Sequence, residues 1–207
     1  MRISILSLRT LAYSEDAIRA LPFGKKEQAR LLAIQNSSRA AASFGALSAL
    51  HKLIEGQSYP ISRQAMGKPY FDVPDAPAFS LSHTDTLAAA VLAEPCEGTV
   101  GIDVEDIRPY PHAMRVADRF FTEDEQRRLS QSPTDEAFFS LWTEKEAVAK
   151  ISGRGLAATL SEPKADIHTK SFRLAGDGIN AVLCLAADRP ITNVEWLCPT
   201  TIQIYER

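Results

Sequence analysis

Two short runs place titratable groups at spacings that could do chemistry. In "VGIDVEDI", Val100 to Ile107, a strand conformation would turn Asp103 and Glu105 to one face and Ile102 and Val104 to the other. Two carboxylates at i and i+2 repel unless something positive sits between them. A hard divalent cation is a natural partner, since Mg²⁺ takes one or two protein carboxylates plus phosphate oxygens and water. A strand end with both acids in solvent is the competing reading. In "FFSLWTEKEAVAKISGRGL", Phe138 to Leu156, the pattern is helical and stops at Ser152-Gly153. Trp142, Glu146 and Lys150 lie one turn apart on one stripe, beside an apolar face that includes Phe138, Leu141 and Ala149. If this helix packs over the "VGIDVEDI" strand, Glu146 adds a third carboxylate and Lys150 faces the same cluster. A metal and an ammonium beside three acids suit a phosphoryl or pyrophosphate group. An ordinary ion pair on a solvated helix face would look the same in sequence.

Three weaker signals accompany them. "SLSHTD", Ser80 to Asp85, ends a strand pattern with His83 next to hydroxyl residues including Ser82, which suits an anion; a structural histidine is the plainer reading. "GKPYF", Gly67 to Phe71, holds Lys68 extended or in a turn because Pro69 follows it. It also reads as a surface turn. "GKKEQAR" supplies Lys25, Lys26 and Arg30, a cluster that commonly marks a solvated helix face.

The elements that must position these residues repeat a plan. "RISILSLR" opens a first half strand-like. Helical patterns follow over Ser14 to Leu21, Lys25 to Ile34 and Ser38 to Glu55, and then the strand candidates "AFSLSH" and "LAAAVLAE". The second half opens with "TVGIDVEDI". Helical patterns follow over His112 to Arg119, Thr122 to Ser130 and Asp135 to Ile151, and then the strands "SFRLAG", "NAVLCLAAD" and "NVEWLC". Thr122 with Glu125 three residues on forms a capping-box pattern. We read an α+β fold of two related halves, residues 1–99 and 100–207, meeting near Val100.

Composition narrows the function classes. The chain has 207 residues, 45% hydrophobic and 24% charged, an ordinary globular balance able to support one large domain or two small halves. Its net charge of −3 argues against a generic nucleic-acid binder but leaves room for a local basic pocket. Cys96, Cys184 and Cys198 are odd in number and widely spaced, which fits a reduced cytoplasmic protein. No run reaches the length of a membrane span, and the N-terminal run does not read as a signal peptide.

Taken in order, "GKPYF", "FSLSHT", "VGIDVEDI", "RFFTEDE" and "LWTEKEAVAKISGRGL" resemble the 4′-phosphopantetheinyl transferases of the surfactin-synthetase-activating (Sfp-like) type. The resemblance covers Gly67 to Leu156, somewhat under half the chain. It implies a pseudo-twofold fold, each half a small sheet with a long packed helix and the site in the cleft between them. The N-terminal half would hold the nucleotide end of coenzyme A, and the C-terminal half the metal and catalytic residues. It also implies a reaction: the phosphopantetheine arm of coenzyme A passes to a serine of an acyl or peptidyl carrier protein, and adenosine 3′,5′-bisphosphate leaves. By this resemblance Asp103, Glu105 and Glu146 hold Mg²⁺, and Glu146 also serves as base for the serine. Lys150 contacts the phosphates, while Lys68, His83 and Ser82 hold coenzyme A. Glu125 falls at a further acidic position near the metal.

The N-terminal third departs from the pattern. Lys26 stands for one of the basic residues expected to reach the 3′-phosphate, Ala29 falls where another is expected, and Arg30 or Arg39 is the substitute. "RFF", Arg119 to Phe121, borders the expected docking place of an acidic carrier, although Phe120 and Phe121 also read as core. Because the two halves already supply both sides of such a cleft, a monomer is expected; cysteine usage, charge and the lack of a span point to the cytoplasm with neither nucleic-acid nor membrane partner. Two other classes stay open: a non-catalytic relative that binds coenzyme A or carrier protein, and an unrelated Mg²⁺-dependent phosphohydrolase built on the same acids.

Overall fold

The computed structural model describes residues 1–156 and 166–207. Strand β1 (Arg2–Ser7) leads to helices α1 (Glu15–Arg19), α2 (Lys25–Leu32) and α3 (Ser37–Leu53). A hairpin of β2 (Ile61–Arg63) and β3 (Pro69–Phe71) precedes β4 (Ala78–His83) and β5 (Leu87–Ala93). The second half runs β6 (Val100–Asp106), α4 (Ala113–Phe120), α5 (Glu123–Gln131), α6 (Asp135–Ser152), β7 (His168–Gly176) and β8 (Ile179–Ala187). Strands β9 (Glu195–Leu197) and β10 (Gln203–Glu206) close the chain. Among the described residues no helix is long and apolar enough to cross a membrane.

The expected α+β duplication is visible in the topology. One sheet has the order β4-β5-β1-β9 and the other β10-β7-β8-β6. Thus β4-β5-β1 and β7-β8-β6 repeat one antiparallel pattern, each with three helices between its first strand and its last two. The sequence boundary near Val100 is not respected throughout. "NVEWLC" was expected to extend the second half's strands; instead β9 pairs in parallel with β1 and completes the first sheet. The short β2, β3 and β10 escaped the sequence reading because three or four residues are too few to establish an alternation.

Alternation in the longer strands builds the core. Ile3 and Ile5, Leu87, Ala89 and Val91, Val100, Ile102 and Val104, and Leu183 and Leu185 turn inward to one core shared by both sheets. The opposite face of the first sheet, with Leu6, Ala90 and Leu92, is covered by α3 through Phe44, Leu47 and Leu50. The opposite face of the second carries Cys184 and Ala186, which pack on Ala147 of α6. Phe121, Phe138 and Phe139 form a satellite cluster that holds α4 and α5 to α6. Phe121 is therefore core. Phe120 is half-buried, edge-on to Trp142 at 5.8 Å with Arg119 over its ring.

Helix α6 starts at Thr134, whose hydroxyl accepts from Ala137 N, and ends at Gly153 in the left-handed conformation, φ 69°. Its distance from the sheet is set at Gly101. A Cβ there would lie 2.0 Å from the Ala147 carbonyl oxygen, so helix backbone rests directly on strand backbone. Gly101, Asp103 and Glu105 share the strand face under α6. The close approach at Gly101 therefore fixes how near Glu146 and Lys150 come to the acids.

Gly101→Ala should force α6 outward. We expect a loss of about 1–3 kcal/mol in unfolding free energy, the usual cost of overpacking, measured by urea denaturation. An unchanged midpoint would show that α6 does not need this contact.

Candidate functional site

The two sheets meet at β4 and β6, each the edge strand of its own sheet. Ser80 Oγ accepts from Ile102 N at 3.2 Å and Ser82 Oγ from Val104 N at 3.3 Å. Two edge amides of β6, which would otherwise lack partners, are satisfied by hydroxyls from β4. The equal offset of the two pairs means that the strands run side by side in the same direction.

Above this seam opens a cleft of about 840 Å³. Its walls bring together Ser82 and His83 of β4, Asp103 and Glu105 of β6, and Glu146 and Lys150 of α6. Strand alternation and helical spacing thus turn the expected acids toward one space. The same cleft is also lined by Arg30 of α2, Arg39 of α3 and Arg63 of β2. The cleft consequently has an acidic part around Lys150 and a basic part where Arg30 and Arg63 share the Glu27 carboxylate.

The acidic part is tightly wired. Lys150 Nζ donates to Asp103 Oδ1 at 2.7 Å, Ser82 Oγ at 3.0 Å and the Ile102 carbonyl at 3.0 Å, matching the three donors of an ammonium. Ser82 Oγ donates to Asp103 Oδ1 at 2.8 Å and accepts from Lys150 and from Val104 N, which exhausts a hydroxyl's ordinary capacity. Ser82 is 7% exposed. Ser82 lines the cleft as expected, and its bonds orient Asp103 and Lys150. Glu105 lies 3.8 Å from Arg108. Trp142 is stacked on Phe138 at 6.3 Å.

The electrostatics of this part are unfavourable to its own charges. Burial, and then the Asp103 charge, push the Glu105 pKa up to about 7 against Arg108, Lys150 and Trp142. Burial and Asp103 likewise raise Glu146 above the ordinary carboxylate range, opposed by Lys150. Asp103 Oδ2 is buried without a hydrogen-bond partner among the described residues. An orphaned carboxylate oxygen beside two acids that resist ionisation fits a divalent cation. Among the described residues no three His, Cys, Asp or Glu side chains stand close enough, as they are placed, to hold a metal ion by themselves. The arrangement thus suits an ion that takes part of its shell from water and phosphate. Asp103, Glu105 and Glu146 are the residues that could hold it.

The remaining candidates are distributed differently. His83 is exposed at the cleft wall; desolvation, then the Lys150 charge, lower its pKa and favour neutral imidazole, with Arg39 adding to the effect. Lys68 does not line the main cleft. Its ammonium donates to the Ile151 carbonyl at 2.8 Å, which caps the last turn of α6. Burial lowers its pKa, partly offset by Asp188. It borders a recess of about 200 Å³ that shares Pro69, Leu81, Glu146 and Lys150 with the cleft.

Lys26 and Ala29 are exposed and outside the cleft. The basic part is instead made by Arg30 and Arg39, anticipated as substitutes, and by Arg63, which the sequence reading missed. Glu125 is also elsewhere. It caps α5 by accepting from Thr122 N at 2.7 Å and pairs with Lys145 at 2.7 Å, both nearly buried. Burial opposes its charge, but the Lys145 and Thr122 hydrogen bonds hold its pKa below the usual range. Its capping-box pattern was legible in sequence; its distance from the acids was not.

Glu27, also unremarked in the sequence, is 3% exposed and lies beneath the basic part. Its Oε1 is 2.7 Å from Nη2 of both Arg30 and Arg63. Burial works against the carboxylate, yet the two guanidiniums hold its pKa below the ordinary value. The i, i+3 spacing of Glu27 and Arg30 was a usable signal for the first contact. Nothing local pointed to Arg63, which is 36 residues away.

A pH dependence follows from Glu105. Its carboxyl stays protonated in the fold up to about pH 7 but ionises near 4.5 when unfolded. The folded state binds more protons across that window, so stability falls as pH rises through it. In EDTA the melting temperature should drop between about pH 5 and pH 8, and Glu105→Gln should flatten the slope. An equal slope in the variant would remove Glu105 as its source.

Comparison with known proteins agrees with this geometry. The sequence pattern of the family described as "ACPS: 4′-phosphopantetheinyl transferase superfamily" matches residues 99–191. The 4′-phosphopantetheinyl transferase psf-1 of Bacillus pumilus is 38% identical over 111 residues, 52% of this chain and 41% of that protein. The 4′-phosphopantetheinyl transferase Sfp of Bacillus subtilis is 34% identical over 112 residues, 52% of this chain and 47% of that protein. In these relatives the aligned stretch is less than half of the relative's own length. The 4′-phosphopantetheinyl transferase AcpT of Escherichia coli O157:H7 is 35% identical over 159 residues, covering 73% of this chain and 75% of that protein. The chain belongs to the 4′-phosphopantetheinyl transferase superfamily.

Proposed function

We propose that this protein transfers the 4′-phosphopantetheine group of coenzyme A to a serine hydroxyl of an acyl or peptidyl carrier protein. The observation that carries the reading is a cleft lined by three guanidiniums and by three carboxylates with Lys150. Coenzyme A has the matching layout: a 3′-phosphorylated nucleotide at one end of a pyrophosphate whose far phosphorus bears the pantetheine arm. Arg30, Arg39, Arg63 and His83 would take the nucleotide phosphates, which are suited to charge-assisted hydrogen bonds. The residues up to 99 supply this nucleotide end, and the residues from 100 onward supply the metal and proton chemistry.

In the step itself the serine Oγ forms a bond to the phosphorus bearing the pantetheine. The bond from that phosphorus to the bridging pyrophosphate oxygen breaks, and adenosine 3′,5′-bisphosphate departs. The serine proton goes to Glu146, directly or through a water. A carboxylate within reach of the hydroxyl is a suitable acceptor for that proton. Asp103, Glu105 and Glu146 would hold a Mg²⁺ ion, which when bound would supply charge neutralisation for the pyrophosphate. Lys150 adds positive charge at the same oxygens by exchanging one of its present acceptors for phosphate. Ser82 and Lys68 act behind it, Ser82 by orienting Asp103 and Lys150 and Lys68 by fixing the end of α6. Because one chain provides both walls, we infer a monomer, acting in the cytoplasm, where coenzyme A and reduced cysteines coexist.

The test is intact-protein mass spectrometry of several apo carrier proteins incubated with the protein, coenzyme A and Mg²⁺. A gain of one phosphopantetheine is expected on at least one carrier. EDTA should abolish it, and Glu146→Ala should slow it by about 10²–10⁴-fold if the residue acts as base. No gain on any carrier from folded protein would refute the proposal.

A further inference from the structure

We propose that Glu27 is a positioning residue, a buried carboxylate that gathers Arg30 and Arg63 into one anion-binding fork in the basic part of the cleft. The inference rests on the reading of that part as the site of the nucleotide 3′-phosphate. Arg30 approaches Glu27 Oε1 through Nε at 2.9 Å and Nη2 at 2.7 Å. Arg63 reaches the same oxygen through Nη2 at 2.7 Å and extends Nε toward Oε2 at 3.4 Å. Its Nη1 donates to the Gly67 carbonyl at 2.9 Å, inside the β2–β3 turn. Two long cationic side chains, one from α2 and one from the hairpin, thus converge on a single oxygen, and both line the cleft.

Like charges do not gather unaided. Without the carboxylate the two guanidiniums repel, and each regains rotamer freedom that binding must then remove. With it they are held together before any ligand arrives, which is how preorganisation raises affinity. One carboxylate against the guanidiniums of Arg30, Arg39 and Arg63 still leaves this part of the cleft net positive. A phosphate monoester dianion has the charge and the multiple acceptors that such a fork recognises. Glu27 is covered by its partners and does not itself line the cleft, so its effect passes through them.

A purely structural tether between α2 and the hairpin would affect all ligands alike, and ligand discrimination separates the two roles. Adenosine 3′,5′-bisphosphate and AMP, titrated calorimetrically, differ in the 3′-phosphate. Wild type should prefer the bisphosphate. Glu27→Gln should weaken the bisphosphate about ten-fold and AMP by less than about two-fold. In the transfer assay, the kcat/KM ratio of coenzyme A to 3′-dephospho-coenzyme A should fall by the same factor, with the loss in KM. Glu27→Asp keeps the charge on a shorter arm and should give an intermediate loss; it carries the test if Glu27→Gln does not fold. Equal losses for both nucleotides, or none, would overturn the role of Glu27 while leaving the transferase reading intact. A wild type that does not distinguish the nucleotides would overturn the reading of the basic part, and the inference with it.

Discussion

The arrangement depends on the seam between β4 and β6. Both are edge strands, and an edge leaves N–H groups that must find partners when buried. Ser80 and Ser82 provide those partners for Ile102 and Val104. The seam sets β4 beside the strand that carries Asp103 and Glu105. Lys150 then binds both Asp103 and Ser82 and ties α6 to the two strands. Three elements from both halves thus meet at one ammonium. A serine at position 82 serves three bonds at once, so the position is structural and electrostatic together.

The same chemistry has opposite outcomes a short distance apart. Glu27 and Glu125 are buried carboxylates with close cationic partners, and their pKa values fall. Glu105 and Glu146 face another carboxylate, and theirs rise. A buried charge that is paired and hydrogen-bonded holds structure together; one that faces its like remains costly until a cation or proton arrives. Lys145 and Lys150 show a similar contrast within one helix. Lys145 closes a nearly buried pair with Glu125 and lies over Phe121, whereas Lys150 reaches the cleft.

The duplication does not produce two clefts. A twofold that relates β4-β5-β1 to β7-β8-β6 would match the β4–β6 seam with one between β7 and β1. There β9 lies along β1 and packs Trp196 against Phe172 of β7 at 4.8 Å. The symmetry is broken by a three-residue strand too short to announce its destination.

Local structure and the identity of the acids were legible in the order of residues alone. Period-two alternation turned Asp103 and Glu105 to one face, helical spacing aligned Trp142, Glu146 and Lys150, and Thr122 and Gly153 marked helix ends. The ordered motifs carried the family resemblance. These features are legible because they follow from the geometry of one strand or one helix. What only the tertiary structure decided is which groups meet across elements: Ser82 with Lys150, Lys68 with the end of α6, Glu125 with Lys145 instead of the acids, and Glu27 with Arg63. Those outcomes depend on the path of the intervening chain, the 2.0 Å limit at Gly101 and the need of each buried charge for a partner. Side-chain chemistry says that a buried carboxylate requires a cation, but packing selects which cation it receives.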